Sequence, residues 1–460
     1  MADRPYLFHE LTSSLCTRCL RKVEAKVIEQ QGRVYLDKLC LEHGRERVLI
    51  ASDAEYWKRA RRTIKPGQLP KRFNTSIERG CPWDCGLCPD HEQHSCLTLI
   101  EITDRCNLSC PVCYADSAPG KGSHRSLELI EQMLDAIVAN EGEPDVVQIS
   151  GGEPTIHPQF FEVLDAAKAR PIKHLMLNTN GVRIANEDGF AERLAEYRKG
   201  FEIYLQWDSL EADPIRALRG ADLLDTRHRA LEKLNALDLS ATLVVTLKRG
   251  LNDHEAGRIV DFASQQRCVR GVTFQPVQQA GRLEDFDPAR DRLTLTDVRN
   301  AILEQSALFQ PEDIVPVPCH PDCIAMAYAL KTPVGVMPLT RFCDPQGLLD
   351  NATNTIIFER TPGMRDKILD LFSTSHSPAS GTHSLQSLLC CLPKIELPVE
   401  LNYGHLFRVI VMEFLDAWSF DVRSVKKTCV HIVHPDLRII PFDTYNMFYR
   451  PGLKPVEALA

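Results

Sequence analysis

The stretch Cys106-Asn-Leu-Ser-Cys110-Pro-Val-Cys113 decides the fold, together with the apolar residues 97–103 that lead into it. Three cysteines this close cannot form a relaxed set of disulfides. Their thiolates can, however, hold three irons of a cubic [4Fe-4S] cluster. The loop has no fourth cysteine, so one iron would keep an open coordination site, which is typical of a catalytic metal. A structural zinc site, or an electron-transfer cluster completed by a distant cysteine, is the alternative.

Five more strand-like segments follow residues 97–103 and alternate with helical patterns. They cover residues 146–150, 174–178, 202–207, 242–246 and 272–275. The first helical pattern, residues 126–140, has Ser126 as a candidate N-cap and apolar residues at helical spacing. Six βα repeats predict an α/β fold with a parallel sheet curved into a partial (βα)6 barrel. Such sheets carry their chemistry in the loops after the strands, where the cysteine loop lies.

Polar residues and glycines follow three later strands, at the ends that would meet the cysteine loop. After the second strand comes Gly151-Gly152-Glu153-Pro154. Its glycines allow close backbone approach of a ligand, and its carboxylate can accept hydrogen bonds from an ammonium group. Asn180 follows the third strand, and Asp208 and Ser209 follow the fourth; these are polar groups suited to a nucleoside. A tight βα turn at Gly-Gly and an ordinary Asn-Gly turn at residues 180–181 are the structural alternatives.

This combination of motifs resembles the radical S-adenosylmethionine superfamily. The resemblance implies that S-adenosylmethionine chelates the open iron through its methionyl amine and carboxylate. The implied cluster ligands are Cys106, Cys110 and Cys113. The implied contacts to the methionyl group are Gly151, Gly152, Glu153 and Pro154, and those to the ribose or methionyl carboxylate are Asn180 and Asp208 or Ser209. One electron from the reduced cluster would cleave the cofactor to a 5′-deoxyadenosyl radical, which abstracts a hydrogen atom from the substrate.

Two cysteine groups before the barrel predict further metal sites. Cys81-Pro-Trp-Asp-Cys85-Gly-Leu-Cys88 repeats the cluster spacing and, with Cys96, makes a four-cysteine set for an auxiliary [4Fe-4S] cluster. Zinc, or ligation by His91 or His94 in place of Cys96, is the alternative there. Nearer the N-terminus, four soft ligands are spaced for one tetrahedral ion, either zinc or rubredoxin-like iron. These ligands are Cys16, Cys19, Cys40 and His43.

The cysteines after the barrel predict a third auxiliary site. Four of them could gather a second auxiliary [4Fe-4S] cluster, so the chain would carry one or two such clusters in addition to the catalytic one. The ligands in question are Cys319, Cys323, Cys343 and Cys429. The other cysteines, Cys268, Cys390 and Cys391, are expected to be bystanders.

The order of these motifs resembles one subgroup of the superfamily, the archaeal tetraether lipid synthase and its bacterial relatives. The matching stretches are residues 40–44, 80–89, 103–113, 150–154 and 440–446. This resemblance implies radical C–C bond formation or alkylation at an unactivated carbon of a long-chain lipid. A radical methyltransferase that uses a folate-type one-carbon donor on a pterin-like substrate is the alternative. Peptide maturation is a third hypothesis, and a non-catalytic iron–sulfur or zinc scaffold or electron carrier is a hypothesis from another class.

Length and composition set further limits. The 460 residues include 54 Lys and Arg against 62 Asp and Glu, a net charge of −8 without a clustered basic tract, which argues against a nucleic-acid partner. No apolar run approaches the length that spans a bilayer, and the polar N-terminus lacks a signal segment. Seventeen cysteines in so long a chain are therefore expected to bind metals in a reducing, cytoplasmic compartment.

The motifs divide the chain into four parts. These are a metal-binding ribbon (1–73), an auxiliary cluster segment (74–96), the barrel (97–300) and a cysteine-rich C-terminal domain for auxiliary clusters and substrate (301–460). The expected partners are a small-molecule or lipid substrate and a one-electron donor such as a ferredoxin or flavodoxin. No transmembrane segment is expected, and transient membrane contact is left open.

Overall fold

The computed structural model describes residues 4–332, 335–341, 403–450 and 453. Cys343, Cys390 and Cys391 lie outside these described residues, so the predictions made for them stay predictions. Within the described ranges, every helix is too short or too polar to cross a membrane.

The N-terminal ribbon is an antiparallel sheet in which strands pair in chain order. Its strands are β1 (Leu7–Leu15), β2 (Lys22–Gln30), β3 (Arg33–Cys40) and β4 (Gly44–Ala51). Gln31 and Gly32 form the two-residue turn between β2 and β3, and both have positive φ, as hairpin turns that match the strand twist require. Helix α1 (Ala54–Arg62) follows, capped by the Asp53 carboxylate, which accepts a hydrogen bond from the Tyr56 backbone N–H.

The barrel contains all six strands predicted from the sequence, running parallel. Strand β5 (Leu97–Glu101) leads into the cysteine loop, which holds the short strand β6 (Val112–Cys113). The other five strands are β7 (Val146–Ser150), β8 (His174–Thr179), β9 (Phe201–Gln206), β10 (Ala241–Leu247) and β11 (Val269–Pro276). The order across the sheet is β11-β10-β9-β8-β7-β5. The predicted α/β class and the partial (βα)6 barrel are confirmed.

Helices connect the strands and cover one face of the sheet. They are α2 (Leu127–Glu141), α3 (Phe160–Lys168), α4 (Val182–Asn186), α5 (Phe190–Ala195), α6 (Ala212–Arg219), α7 (Leu224–Leu237) and α8 (Ala256–Gln265), with 3-10 turns at Pro154–Ile156 and Asp253–Glu255. Ser126 caps α2, as predicted, by accepting the Leu129 backbone N–H at 3.2 Å. Alternate strand residues such as Ile149 and Leu177 pack against these helices, while Gln148 and Asn178 face the barrel interior.

The C-terminal half of the chain extends both edges of the barrel sheet. Its first elements are β12 (Arg282–Leu283), which pairs with β6, and helices α9 (Pro288–Asp291) and α10 (Leu295–Gln305). Next come β13 (Val315–Pro316), β14 (Ile324–Thr332), β15 (Gly335–Pro338), two 3-10 turns (Leu339–Arg341 and Tyr403–His405) and β16 (Leu406–Met412). The last elements are α11 (Val422–Val425), β17 (Val430–Val433), β18 (Ile439–Pro441), α12 (Phe442–Thr444) and a π-turn (Tyr445–Tyr449).

Strand β16 lies parallel beside β11 at one edge of the sheet, and β17 lies parallel beside β5 at the other. Antiparallel strands then continue each edge: β14 pairs with β16 and carries β13 and β15, and β18 pairs with β17, to give twelve strands in the described part of the chain. Strands from beyond residue 300 therefore belong to the barrel sheet itself. The boundary at residue 300 stays a prediction.

Candidate functional site

A cavity occupies the barrel interior at the carboxyl ends of the strands. The cysteine loop (residues 106–113), the glycine loop after β7 (residues 151–154) and inward-facing strand residues line this cavity. Met412, Phe414 and Phe442 from the C-terminal elements complete its wall. Cys106, Cys110 and Cys113 all line this cavity. The predicted position of the chemistry, in the loops that follow the strands, thus coincides with the enclosed space of the barrel.

The cysteine loop is held from outside the barrel by Arg282 of β12. Its guanidinium donates to the Cys110 carbonyl at 2.6 Å and to the Ser117 carbonyl at 2.7 Å, and pairs with Asp116 at 3.0 Å. Burial raises the pKa of the Cys106 thiol to about 12 and also raises that of Cys110. A metal displaces the proton when it binds such a thiol, and three cysteine sulfurs on one cavity wall are the donors that an iron–sulfur cluster requires.

The two glycines of the glycine loop allow the backbone before the cysteine loop to lie close to them. A Cβ on Gly151 would lie 2.3 Å from the Thr103 carbonyl oxygen, and one on Gly152 would lie 2.1 Å from that of Arg105. The Gly152 N–H donates to Thr103 at 2.8 Å, and the Glu153 N–H donates to Arg105 at 2.9 Å. The absence of side chains on these glycines therefore lets the glycine loop pack on the segment that leads into the cysteine loop. The sequence analysis had expected the glycines to allow close approach of a ligand instead.

Glu153 is buried and ties the glycine loop to the end of β8. Its Oε1 accepts hydrogen bonds from the Thr155 N–H, the Thr155 hydroxyl and the Thr179 hydroxyl, while Oε2 accepts from the Asn180 N–H at 2.8 Å. Burial raises the pKa of this carboxyl. Because Oε2 accepts a single hydrogen bond among the described residues, it keeps capacity for one donor from the cavity. Pro154 begins the 3-10 turn that positions Thr155.

Asn180 joins the glycine loop, the cysteine loop and β8. Its backbone N–H binds Glu153, its side-chain Nδ2 donates to Asn107 Oδ1 at 2.7 Å, and its Oδ1 accepts the Val182 N–H at 3.0 Å. The side chain also lines the cavity. Asn180 is therefore placed both to orient the cysteine loop and to face a bound ligand.

Asp208 and Ser209 do not line the cavity, and the structure gives no support to a direct contact with a cofactor. Asp208 is buried with positive φ and pairs with Arg219 at 2.6 Å and with Arg227 at 2.7 Å. The Ser209 hydroxyl donates to Glu255 at 2.6 Å. Arg219, which no local pattern singled out, is the side chain of this network that reaches the cavity wall.

The C-terminal residues supply an aromatic wall of the cavity. Phe442 packs on Phe414 with ring centroids 4.1 Å apart and on Tyr114 of the cysteine loop at 5.1 Å. Arg450 lies over the Tyr114 ring and pairs with Glu101, at the end of β5, at 2.7 Å. The sequence signal for this wall was the matching stretch 440–446, since no periodicity relates it to the barrel.

Side-chain amides project into the same cavity from several strands and from the loop after β11. They belong to Gln148, Asn178, Gln206, Gln275 and Gln278. The Asn178 amide donates to Ser150, that of Gln275 to Tyr204 and that of Gln206 to Asp208. Gln148 is 3% exposed, and its buried Nε2 has no hydrogen-bond partner among the described residues; the same holds for both amide atoms of Gln278. Buried polar atoms without a partner point to a polar ligand.

The four predicted ligands of the ribbon lie together. The ligand atoms of Cys16, Cys19, Cys40 and His43 are all within 4.8 Å of one another. His43 Nδ1 is 3.6 Å from the Cys16 sulfur and 3.5 Å from the Cys40 sulfur. The backbone N–H of His43, together with its ring, lowers the pKa of the Cys40 thiol to about 6. This set can hold one tetrahedral ion.

In the predicted auxiliary set of Cys81, Cys85, Cys88 and Cys96, one cysteine also has close sulfur neighbours from outside the set. Cys81, Cys85 and Cys88 lie in a loop packed against the C-terminal π-turn, where the Tyr449 hydroxyl donates to the Trp83 carbonyl and accepts the Cys85 N–H. The Cys96 sulfur lies within 4.8 Å of two others. Those belong to Cys319 and Cys429.

These neighbours follow from sheet pairing. Leu97 pairs with Val430, so the residues just before β5 and β17, Cys96 and Cys429, become neighbours. His94 Nε2 approaches Cys96 at 3.5 Å, whereas the ring of His91 contacts His431 at 3.1 Å. Cys323 is buried but lies outside the compact set, and lone Cys268 is buried in the apolar core.

Comparison with known proteins agrees with this architecture. The family model of the radical SAM superfamily matches residues 100–263, and that of the HMPTM N-terminal zinc ribbon domain matches residues 8–52. A 7,8-dihydro-6-hydroxymethylpterin dimethyltransferase from Methanocaldococcus jannaschii is 32% identical and covers 95% of this chain and 94% of its own length.

Two other relatives match mainly the barrel. Mycofactocin maturase MftC from Mycobacterium ulcerans is 35% identical over 37% of this chain and 43% of its own length. GTP 3′,8-cyclase from Chlorobaculum tepidum is 29% identical over 42% of this chain and 59% of its own length. The family implies a [4Fe-4S] cluster and S-adenosylmethionine at the barrel site, and the ribbon match implies zinc. The chain belongs to the radical S-adenosylmethionine superfamily and is an enzyme of that class.

Proposed function

We propose that this enzyme is a radical methyltransferase that acts on a pterin-like heterocycle and takes its carbon from a folate-type one-carbon donor. The observation that carries the proposal is the group of cavity amides, above all the buried and unpartnered Gln148 Nε2. The edge of a pterin presents ring nitrogens, an amine and a carbonyl, which amide side chains pair with in both directions. The full-length similarity to a pterin dimethyltransferase supports the same substrate class.

The proposal replaces the long-chain lipid substrate expected from the sequence. An alkyl chain offers no hydrogen bonds, so it would leave the cavity amides without partners, at a cost of about 1–3 kcal/mol for each desolvated group. The apolar residues of the cavity, such as Leu99, Val244 and Phe442, suit the flat faces of a heterocycle equally well. The tetraether lipid synthase subgroup stays a prediction.

The residues assigned to the cofactor keep the roles that the family resemblance implies. Cys106, Cys110 and Cys113 would hold the cluster, and the free acceptor capacity of Glu153 Oε2 would receive the methionyl amine. When bound, the cluster and S-adenosylmethionine supply one-electron chemistry that removes a hydrogen atom. The protein's part is to orient the heterocycle through the amides and to exclude water with the wall of Tyr114, Phe414 and Phe442. A ferredoxin or flavodoxin as the electron donor stays a prediction.

Two assays on anaerobically reconstituted, dithionite-reduced enzyme test the function. The first measures 5′-deoxyadenosine, which we expect from the wild type and not from Cys106→Ala. The second supplies 7,8-dihydro-6-hydroxymethylpterin with a methylene-tetrahydrofolate donor and follows the pterin by mass spectrometry. A gain in mass of one or more methyl groups supports the proposal. A lipid extract that instead yields a product lighter by two hydrogens per new bond would overturn it.

The Gln148→Leu substitution tests the carrying observation. We expect the pterin KM to rise about 10-fold, which corresponds to one hydrogen bond of about 1.4 kcal/mol, while iron content stays at the wild-type level. Gln132→Leu on the exposed face of α2 is the matched control and should leave KM unchanged. An unchanged KM in Gln148→Leu would remove the basis for assigning this substrate class.

A further inference from the structure

A second groove lies between helices α1 and α10, away from the barrel cavity. It has a volume of about 610 Å³, which is within the range of small-molecule sites, and among the described residues it shares no lining side chain with the barrel cavity. The Ser52 N–H donates to the Thr296 hydroxyl oxygen at 2.7 Å, and the two hydroxyls lie 3.0 Å apart. These contacts hold the segment before α1 against the first turn of α10, so the fold fixes both walls of the groove.

The groove carries positive charge in a chain whose net charge is −8. Four cations and three carboxylates line it, namely Lys58, Arg59, Arg62 and Arg299 against Asp53, Glu55 and Glu304. Lys58 is paired with Glu55, whereas Arg59 and Arg62 form no ion pair among the described residues. Tyr56, Arg59 and Arg62 follow one another at a spacing of three residues, which places them along one side of α1. The groove side of α1 therefore presents two arginines without a carboxylate partner.

On the opposite wall, Arg299 of α10 is a buried cation with little compensation. It is 4% exposed, and its guanidinium donates to the Pro311 carbonyl at 2.6 Å and to Asn300 Oδ1 at 3.2 Å. Its Nε has no hydrogen-bond partner in the described part of the chain, and the Asp53 carboxylate approaches only to 4.0 Å. Burial lowers the pKa of this guanidinium. Because a buried charge is costly unless it is paired, an anion in the groove would stabilise Arg299.

The Tyr56 ring brings arginines of the two walls together. The guanidinium groups of Arg59 and Arg299 lie over this ring, 5.4 Å and 4.5 Å from its centroid. Arg59 Nη2 also reaches the Pro311 carbonyl, at 3.3 Å, which Arg299 shares. The Tyr56 hydroxyl is buried without a hydrogen-bond partner among the described residues. Burial raises the pKa of this phenol, so the hydroxyl stays protonated at neutral pH and can donate a hydrogen bond.

We propose that this groove binds a phosphate group, as the free ion or as the monoester of a small molecule. Arg59, Arg62 and Arg299 supply the positive charge, and the Tyr56 hydroxyl supplies one further donor. Three guanidinium groups suit the three terminal oxygens and the nearly double charge of a phosphate monoester better than the two oxygens of a carboxylate. Leu303 contributes apolar surface for the rest of such a molecule. The site does not rest on the substrate proposed above.

Anaerobic equilibrium dialysis of the full chain at low ionic strength tests the site. The probes are inorganic phosphate, glycerol 3-phosphate and the dicarboxylate glutarate. We expect saturable binding of one phosphate group per chain, and much weaker binding of glutarate. Tighter binding of glycerol 3-phosphate would identify the ligand as a monoester, and tighter binding of inorganic phosphate would identify it as the free ion. Absence of saturable phosphate binding, or equally tight binding of glutarate, overturns the proposal.

Variants assign the binding to the groove. Arg62→Gln changes an exposed side chain, and Tyr56→Phe removes only the hydroxyl, so neither should prevent folding. We expect the affinity for phosphate to fall about 10-fold in Arg62→Gln and about 5-fold in Tyr56→Phe, because each loses a donor to a charged ligand. Arg216→Gln, at an exposed arginine of α6, is the matched control and should bind phosphate like the wild type. An unchanged affinity in Arg62→Gln, or an equal loss in the control, contradicts the assignment.

Cluster content and 5′-deoxyadenosine formation serve as separate readouts for the barrel. Both should stay at the wild-type level in Arg62→Gln, because this side chain does not line the barrel cavity. Phosphate binding is measured without turnover, so failure of the pterin assay would leave this test unaffected.

Discussion

The ribbon and the barrel loop present cysteines to a metal in opposite ways. In the ribbon, four ligand atoms converge within 4.8 Å, and backbone and ring groups of His43 lower the pKa of Cys40 to about 6. In the barrel, three thiols line a cavity, and burial raises the pKa of Cys106 to about 12. The Cys40 thiol is thus ionised near neutral pH in a closed set of four ligands, although burial raises the pKa of its neighbour Cys19, whereas Cys106 stays protonated in a loop that has one ligand too few. Ligand number and thiol ionisation together separate a structural from a reactive site.

Removing one cysteine from each site should give the largest contrast. Cys110→Ala should lower 5′-deoxyadenosine formation by at least about 100-fold, because a lost ligand costs more than a lost supporting group, and should remove one cluster equivalent of iron. Cys19→Ala should lose the ribbon metal and keep the rate within about threefold, since a structural site does not touch the reacting atoms. Equal losses of rate in the two variants would break the distinction.

Alkylation of the metal-free protein should sharpen the contrast in thiol ionisation. At pH 7 we expect iodoacetamide to modify Cys40 at least about 10-fold faster than Cys106, because the thiolate is the nucleophile. Peptide mass spectrometry over a time course measures both rates in one sample. Raising the pH from 7 to 9 should accelerate modification of Cys106 and leave Cys40 nearly unchanged. Similar alkylation rates and pH profiles for Cys40 and Cys106 would contradict the expected difference in their thiol pKa values.

The barrel site rests on a buried network of charges. Asp208→Asn leaves Arg219 and Arg227 without their carboxylate and should lower the free energy of unfolding by about 3–5 kcal/mol. The exposed pair of Asp213 and Arg216 provides the control, since Asp213→Asn should cost less than about 1 kcal/mol. Urea denaturation measures the free energy of unfolding of both variants. Equal losses would show that the buried network stabilises the protein no more than an exposed ion pair does.

The same network predicts a pH dependence. Burial opposes ionisation of Asp208, but Arg219 and Arg227 prevail and hold its pKa well below the usual range. A depressed folded-state pKa stabilises the protein at pH values above the unfolded-state pKa of about 3.9, and this contribution is lost as the pH falls toward the folded value. The difference in unfolding free energy between wild type and Asp208→Asn should therefore be full at pH 7 and shrink below about pH 4.

Glycine substitutions should have the smallest effects on stability among these variants. They test how tightly the backbone is packed in the barrel loop and in the ribbon. Gly152→Ala places a Cβ against the Arg105 carbonyl, so we expect a cost of about 1–3 kcal/mol and a displaced cysteine loop. In the ribbon turn, the Cβ that Gly32→Ala adds has no atom within 4 Å. This substitution should therefore lower the free energy of unfolding only by the cost of a positive φ, about 1 kcal/mol. Thermal unfolding and 5′-deoxyadenosine assays separate the two. A normal rate in Gly152→Ala would show that the loop tolerates the shift.

Local patterns in the sequence were sufficient for the barrel core and the ribbon. The strand predicted at residues 146–150 coincides with β7, and the prediction for residues 174–178 falls one residue short of β8. These segments are buried on both faces of a parallel sheet, so their apolar and β-branched composition is visible without knowing their neighbours. The ribbon ligands also lie close in sequence, on either side of one hairpin, and their spacing was enough to group them.

The structure adds neighbours that the sequence did not suggest where nearness along the chain differs from nearness in space. Cys96 was assigned to residues 81–88, but the pairing of β17 with β5 brings Cys429 and then Cys319 to it. Asp208 and Ser209 stand at a strand end, as cofactor residues do, yet their side chains turn to Arg219, Arg227 and Glu255. Contacts of this kind join residues from different elements, and they produce no periodic pattern in the sequence from which they could be predicted.

The sequence by itself determined the kind of chemistry, because a [4Fe-4S] loop needs only three cysteines at short spacing after a strand. Only the tertiary structure decided what surrounds that loop. Strand pairing placed the amides of Gln148 and Gln278, some 130 residues apart, in one cavity and brought Cys96, Cys319 and Cys429 together at the sheet edges. The physical reason is that a metal loop is a local arrangement of donors, whereas a substrate cavity and a barrel closure are made by the packing of distant strands.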